Sequence, residues 1–177
     1  MIPLDPHIFR AYDIRGNTGT QITPEGCRCI ANVYGQIVRE RSGNGSPRIA
    51  VGRDARVSGE QLEEAVVAGL LDAGCTVERI GITPSPVNYF AICTRGLDGS
   101  IQITASHNPP EDNGLKLQLK DSVAFAGEEI QTLRTRIEAG EIIERPTRGS
   151  VSDIDVSTPY IAHHTKLFAE RGKGLRI

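Results

Sequence analysis

Apolar residues in this chain recur in two alternating patterns, one at helical spacing and one as short β-branched runs. Behind Thr23, the residues Cys27, Ile30, Ala31, Tyr34, Ile37 and Val38 fall on one helical stripe. Thr23 is suited to cap that helix and Pro24 to open it. Arg39 and Arg41 suit its negative end, and Gly43 stops it. A second stripe, Leu62, Ala65, Val66, Gly69, Leu70 and Ala73, follows Ser58 and Gln61, which are spaced as a capping box, and closes at Gly74. Thr83 is expected to cap a short third helix over residues 84–94, carrying Val87, Phe90 and Ala91. Ile130, Leu133 and Ile137 mark a fourth helix ending near Gly140, and a fifth is expected over residues 158–171.

Between these stripes lie the runs "RIAVG" (residues 48–52), "CTVERI" (75–80) and "GSIQIT" (99–104), each fit for a buried strand. Strands that alternate with helices predict βαβ units and a parallel sheet. The next connection is different. Between Thr104 and Leu115 there is only a loop ending in Asn113-Gly114, a local reversal signal, so "LKLQL" (115–119) is expected to return antiparallel. The predicted fold is therefore α/β: a mixed, mostly parallel sheet flanked by helices on both faces, with one antiparallel strand following the Ser106 loop. The final "GKGLRI" (172–177) reads as a glycine-rich link and the first residues of a further strand. Residues 1–155 are accordingly expected to form the α/β domain, and 156–177 a linking helix and the start of a second domain.

Composition narrows the partners. A chain of 177 residues can bury close to ~70% of its unfolded surface, enough for an apolar core without a structural metal or disulfide. A formal net charge of −2 gives no basic field, so neither nucleic acid nor a membrane surface is an expected partner. No run of 18 or more apolar residues occurs, and "MIPLDPHIFR" lacks the basic-then-apolar pattern of a signal peptide, so a cytoplasmic location is expected. Cys27 and Cys29 share a helix but point to different sides, and Cys75 and Cys93 stand alone. They read as small apolar residues of a reducing compartment rather than metal ligands.

Ligands of open α/β sheets bind beyond the carboxyl ends of the parallel strands, where the loops "GRDARVSG", "GITPSP" and "TASHNPPEDNG" are expected. Ser106 lies just past a strand end. His107 is its immediate neighbour, and adjacent residues seldom align for proton transfer; no G-x-S-x-G elbow is present either, which argues against a Ser-His hydrolase. A phosphoryl-carrying serine fits better. Such a group brings about −1.5 to −2 charges and needs donors and cations around it. His107, Asn108 and Lys116 are near in sequence, and Arg15, Arg53 and Arg56 could arrive from other loops.

The Asn-Gly turn would return Lys116 towards Ser106, where its amine could act as general acid or base, while Pro109 and Pro110 restrict the loop. Each feature has an ordinary reading as well. Lys116 could be a solvated edge residue, and Arg53, Asp54 and Arg56 either a ligand-positioning cluster or a solvated loop beside a helix start. His163 and His164 read as surface residues, and no Walker A or dinucleotide fingerprint occurs.

Four motifs, "FRAYDIRG" (9–16), "VGRDARVSG" (51–59), "GITPSPV" (81–87) and "TASHNPPEDNGLK" (104–116), stand in the order found in the α-D-phosphohexomutase superfamily. The chain resembles the N-terminal domain of its phosphomannomutase/phosphoglucomutase and phosphoglucosamine mutase members. The resemblance implies that Ser106 is the phosphorylated serine, Lys116 the general acid/base, and His107 and Asn108 their neighbours, with Tyr12 and Arg15 lining the cleft. It further implies phosphoryl transfer between the 1- and 6-positions of a hexose phosphate through a hexose 1,6-bisphosphate. Mg2+ would be held by phosphorylated Ser106 and by carboxylates of a downstream loop.

The family's aspartate-rich metal loop, sugar-reading loop and C-terminal phosphate loop do not occur in these 177 residues. The chain alone is therefore expected to be inactive or nearly so, with the remaining domains of the same enzyme as its partners. A phosphoglucosamine mutase domain, or a stand-alone sugar-phosphate binding or partner-docking module, remains the alternative.

Overall fold

In the computed structural model, which describes residues 4–169 and Arg171, a six-stranded sheet runs between two helical layers. The elements follow in the order β1 (Ile14–Asn17), α1 (Pro24–Ser42), β2 (Arg48–Arg53), α2 (Gly59–Asp72), β3 (Thr76–Ile82), α3 (Ser85–Arg95), β4 (Gly99–Ile103), β5 (Asp112–Leu119), α4 (Glu128–Glu138), β6 (Val151–Asp153) and α5 (Ser157–Phe168). Across the sheet the strand order is β1-β5-β4-β2-β3-β6. Strands β4, β2, β3 and β6 pair parallel, while β5 runs antiparallel to both of its neighbours, β4 and β1. The α/β class, the helices on both faces and the antiparallel strand after the Ser106 loop are as the sequence predicts.

Alternation along β2 separates the two cores. Ile49 and Val51 enter the larger one with Tyr34 of α1, Leu70 of α2 and Leu133 of α4, whereas Ala50 points to the opposite face with Val87 and Ala91 of α3. Helix α1 is buried on nearly every side from Gly26 to Val38. Its close approach to α2 depends on Gly69, where an added Cβ would lie 2.1 Å from the carbonyl oxygen of Arg28. Cys27, Cys29 and Cys75 are buried free thiols, and burial pushes Cys27 and Cys75 up to about 12, so both stay protonated.

The ends of α1 follow the sequence signals. Thr23 Oγ1 accepts from the Gly26 amide at 3.1 Å, and Gly43 closes the helix at φ 67° with its N–H on the Arg39 carbonyl. Other local expectations are corrected. Asn113-Gly114 makes no turn: both residues lie inside β5, opposite Gly16 and Arg15 of β1. Gly114 is required there because a Cβ would sit 2.1 Å from the Ile14 carbonyl oxygen. The reversal is made earlier, where Ser106 adopts a left-handed φ of 56°.

Ser58 and Gln61 form no capping box, since Ser58 makes no side-chain cap and its hydroxyl instead accepts from Asn113 Nδ2 at 2.9 Å. Thr83 does not cap α3 either. Pro84 occupies the N-cap, and the Thr83 hydroxyl is buried without a partner among the described residues. Strands β1 and β6 fall where the hydrophobic pattern predicts none, and α5 ends at Phe168 rather than at residue 171. The expected strand start in "GKGLRI" lies outside the described residues.

Candidate active site

Strand β4 ends at Ile103, and Thr104 stays tied to β5 through its N–H on the Gly114 carbonyl at 2.9 Å. The Thr104 hydroxyl then serves two neighbours: it donates to Asp54 Oδ2 at 2.7 Å and accepts from the Ser106 amide at 2.9 Å. Ser106 is exposed, with its Oγ 3.1 Å from Nδ1 of His107, which is exposed too. A left-handed backbone costs a serine roughly 1–2 kcal/mol, so the loop must be held there by contacts outside itself.

Arg56 supplies them. Its Nε donates to Asp54 Oδ2 at 3.1 Å, its Nη1 to the carbonyls of Pro109 at 2.5 Å and Asp112 at 3.0 Å, and its Nη2 to those of Ser106 at 3.2 Å and Asn108 at 2.8 Å. All five guanidinium N–H groups are thereby engaged. A cavity of about 410 Å3 opens beside this loop, lined by Asp54, Ala55, Arg56, Val57, Asn108 and Pro110.

Arg15 reaches the same loop from β1. Its Nη1 donates to Asn108 Oδ1 at 2.8 Å, and its Nη2 pairs with the Asp13 carboxylate. Asn108 Nδ2 in turn donates to Asp112 Oδ2 at 2.7 Å, closing the loop across the two prolines. Tyr12 stands at the tip of the reversal between Phe9 and Ile14 and is 83% exposed. Lys116 lies on β5 directly across from Gln102 of β4, which contacts Asn88 of α3, so the lysine is on the α3 face near the carboxyl end of β4. Lys116 is half-buried and makes no ion pair with another described residue.

Ser106, His107, Asn108, Arg15 and Arg56 are thus brought together, with Lys116 on the adjacent strand. Arg53 is tied to α2: its Nε donates to Glu63 Oε2 at 2.9 Å, bracing the end of β2, and its Nη2 makes no hydrogen bond with a described residue. The alternative of a merely solvated "RDAR" loop does not hold, because Asp54 and Arg56 are both bonded to the Ser106 loop. His163 and His164 pack among Phe90 and Tyr160 where α5 meets α3. The sequence reading missed Thr104, Asp112 and Asp13. A carboxylate four residues beyond Asn108, with two prolines between, was the available signal for Asp112.

Among the described residues no group of three or more His, Cys, Asp or Glu side chains could hold a metal ion. Asp54 and Asp112, the carboxylates of this network, are already committed to Arg56, Thr104 and Asn108. These residues do not form a magnesium cage by themselves.

An exposed serine thus stands on a braced loop of an α/β/α domain, past the carboxyl end of β4, where open α/β sheets commonly bind their ligands. The family model described as phosphoglucomutase/phosphomannomutase, alpha/beta/alpha domain I, matches residues 6–143, and the chain belongs to that family as its domain I. It is 40% identical over 157 residues to a phosphomannomutase/phosphoglucomutase of Pseudomonas aeruginosa, a match covering 89% of this chain and 33% of that protein. To a phosphoglucomutase of Neisseria gonorrhoeae it is 37% identical over 170 residues, covering 94% and 36%. The crystal structure of a phosphoglucomutase/phosphomannomutase family protein from Burkholderia thailandensis superposes with a TM-score of 0.83 at 34% identity, over 95% of this chain and 36% of that one. The chain spans about a third of the length of these relatives.

Proposed function

We propose that this chain is the catalytic-serine domain of a phosphohexomutase that interconverts hexose 1-phosphate and hexose 6-phosphate, with mannose or glucose as the sugar. Phosphoserine 106 would give its phosphoryl group to the free hydroxyl of the hexose monophosphate, and the hexose 1,6-bisphosphate would return its other phosphoryl group to Ser106 Oγ. In the first step the Oγ–P bond breaks as the sugar O–P bond forms, and the sugar hydroxyl proton passes by way of the Lys116 amine to the departing Ser106 Oγ. His107 and Asn108 flank the transferring group; Arg15, Tyr12 and Arg53 are the candidate substrate contacts, Arg53 through the Nη2 that Glu63 leaves open.

The observation that carries this reading is the exposed Ser106 hydroxyl on a loop immobilised by Arg56, Thr104 and Arg15. A fixed, accessible oxygen is what in-line transfer needs; a hydrolytic serine would need a base that is itself held in place, and His107, although its Nδ1 is 3.1 Å from Oγ, is exposed and bonded to no carboxylate of a described residue. The similarity to a phosphomannomutase/phosphoglucomutase and a phosphoglucomutase favours mannose and glucose phosphates over glucosamine phosphate.

Two further parts belong to the proposal. Mg2+ would be held by phosphorylated Ser106 with carboxylates outside this chain, where it would supply charge neutralisation for the transfer. Residues 1–155 would form the serine-bearing unit and 156–177 the link to the remaining domains of the enzyme. The test is incubation of the complete gene product with phosphoryl-labelled hexose 1,6-bisphosphate, followed by peptide mapping. Label is expected on Ser106; label confined to another residue removes that serine from the mechanism.

A further inference from the structure

Arg56 is a cation beside the proposed phosphoryl carrier, and the simplest expectation for it is phosphate binding. Its geometry points elsewhere. All five of its N–H donors are spent inside the protein, its side chain is only 13% exposed, and its charge is matched by Asp54, which also accepts from the Arg56 amide at 3.1 Å. A guanidinium in that state has no donor left for a ligand. Four of the five bonds go instead to carbonyls of one loop, those of Ser106, Asn108, Pro109 and Asp112.

We propose that Arg56 is a positioning residue for Ser106: it fixes the loop by gathering its carbonyl oxygens and takes no part in binding the phosphoryl group. The proposal rests on the reading of Ser106 as the phosphoryl carrier. It also accounts for the two prolines. The carbonyls of Asn108 and Pro109 face Arg56, and the nitrogens of those two peptides belong to Pro109 and Pro110, which bear no hydrogen. Two carbonyls can thus turn inward without leaving an unsatisfied N–H on the outer side.

The Ser106–His107 peptide behaves differently. In a trans peptide the C=O and N–H point in opposite directions, and no cis bond occurs among the described residues. With the Ser106 carbonyl on Arg56, the His107 N–H is directed away from the guanidinium, and the left-handed backbone of Ser106 is locked from its carbonyl side by Arg56 and from its amide side by Thr104. Lysine cannot replace this arrangement, because one ammonium with three donors cannot span four carbonyls and a carboxylate.

The test uses the complete gene product with Arg56→Lys and Arg56→Met, read three ways: single-turnover labelling of Ser106 by hexose 1,6-bisphosphate, KM for the hexose phosphate, and amide hydrogen exchange. Misplacement by about 1 Å costs on the order of 100-fold, so labelling should slow by roughly that factor in both variants while KM stays within about threefold. Exchange at Ser106 and Asn108, whose N–H groups are held by Thr104 Oγ1 and the Ala105 carbonyl, should accelerate while α1 keeps its protection. Arg56→Lys keeps the charge and the stem, and so carries the test if Arg56→Met does not fold. Labelling at the wild-type rate overturns the proposal alone, as does a raised KM with unchanged labelling, which would make Arg56 a ligand contact. Wild-type label found away from Ser106 overturns the reading of that serine, and the proposal with it.

Discussion

Arg15 Nη1 donates to Asn108 Oδ1 at 2.8 Å across 93 residues of sequence, so β1 and the serine loop are parts of one hydrogen-bonded unit. The same guanidinium is paired with Asp13, and both side chains are only 13% exposed. Replacing Arg15 by Ala leaves a half-buried carboxylate and an amide oxygen without their donor, a change that costs about 3 kcal/mol where charge partners are largely desolvated. Urea unfolding at neutral pH should show a loss of that order in Arg15→Ala. A loss below about 0.5 kcal/mol, the range of ordinary surface substitutions, would mean the bond is not part of the native fold.

Lys116 differs from Arg15 in having no ion pair with a described residue, so its removal should be nearly silent for stability and costly for chemistry. Lys116→Ala in the complete gene product is expected to lower kcat by roughly 100- to 10,000-fold, the usual range for a proton-transfer group, with KM little changed. Unchanged turnover would remove the acid/base role. A rise in KM at constant kcat would make Lys116 a binding residue.

The helices and the central strands were legible because burial imposes periodicity: α1 and α2 carry stripes, and β2 and β4 are β-branched runs. Strand β1 was not legible. It has four residues, two of them buried, and it is a strand only because β5, almost a hundred positions later, pairs with it. Strand β6 has three exposed residues at a sheet edge and leaves no hydrophobic trace. At the site, Ser106 was readable from its place past a strand end. Arg56 was not, since an arginine in a polar loop looks the same whether it faces water or four carbonyls lying 50 to 56 residues away. Asn113-Gly114 misled for the opposite reason. Its small size serves the close approach of β1, and a turn signal says nothing about contacts from another strand.

At the far end of the sheet, Glu78 of β3 sets a pH dependence independent of the serine loop. Its carboxylate is 6% exposed and accepts from Arg48 Nη2 and Arg95 Nε, each at 2.6 Å. Burial acts to raise its pKa, but the bonds from Arg95 and Arg48 outweigh burial and hold it below the ordinary glutamate value of 4.5. A carboxylate depressed in the folded state contributes stability above its unfolded pKa, and that contribution is lost as pH falls through the folded value. Glu78→Gln removes the charge at every pH but keeps the shape. With both arginines a third or more exposed, the difference from wild type should be about 1.5 kcal/mol at pH 7, the low end for hydrogen bonds to a charged group. It should shrink towards zero as pH drops below 4.5, where the wild-type carboxyl takes up its proton. Urea unfolding of the two proteins from pH 7 down to about pH 3 follows this convergence, and a difference that stays constant across the range would show that Glu78 titrates alike in the folded and unfolded chains.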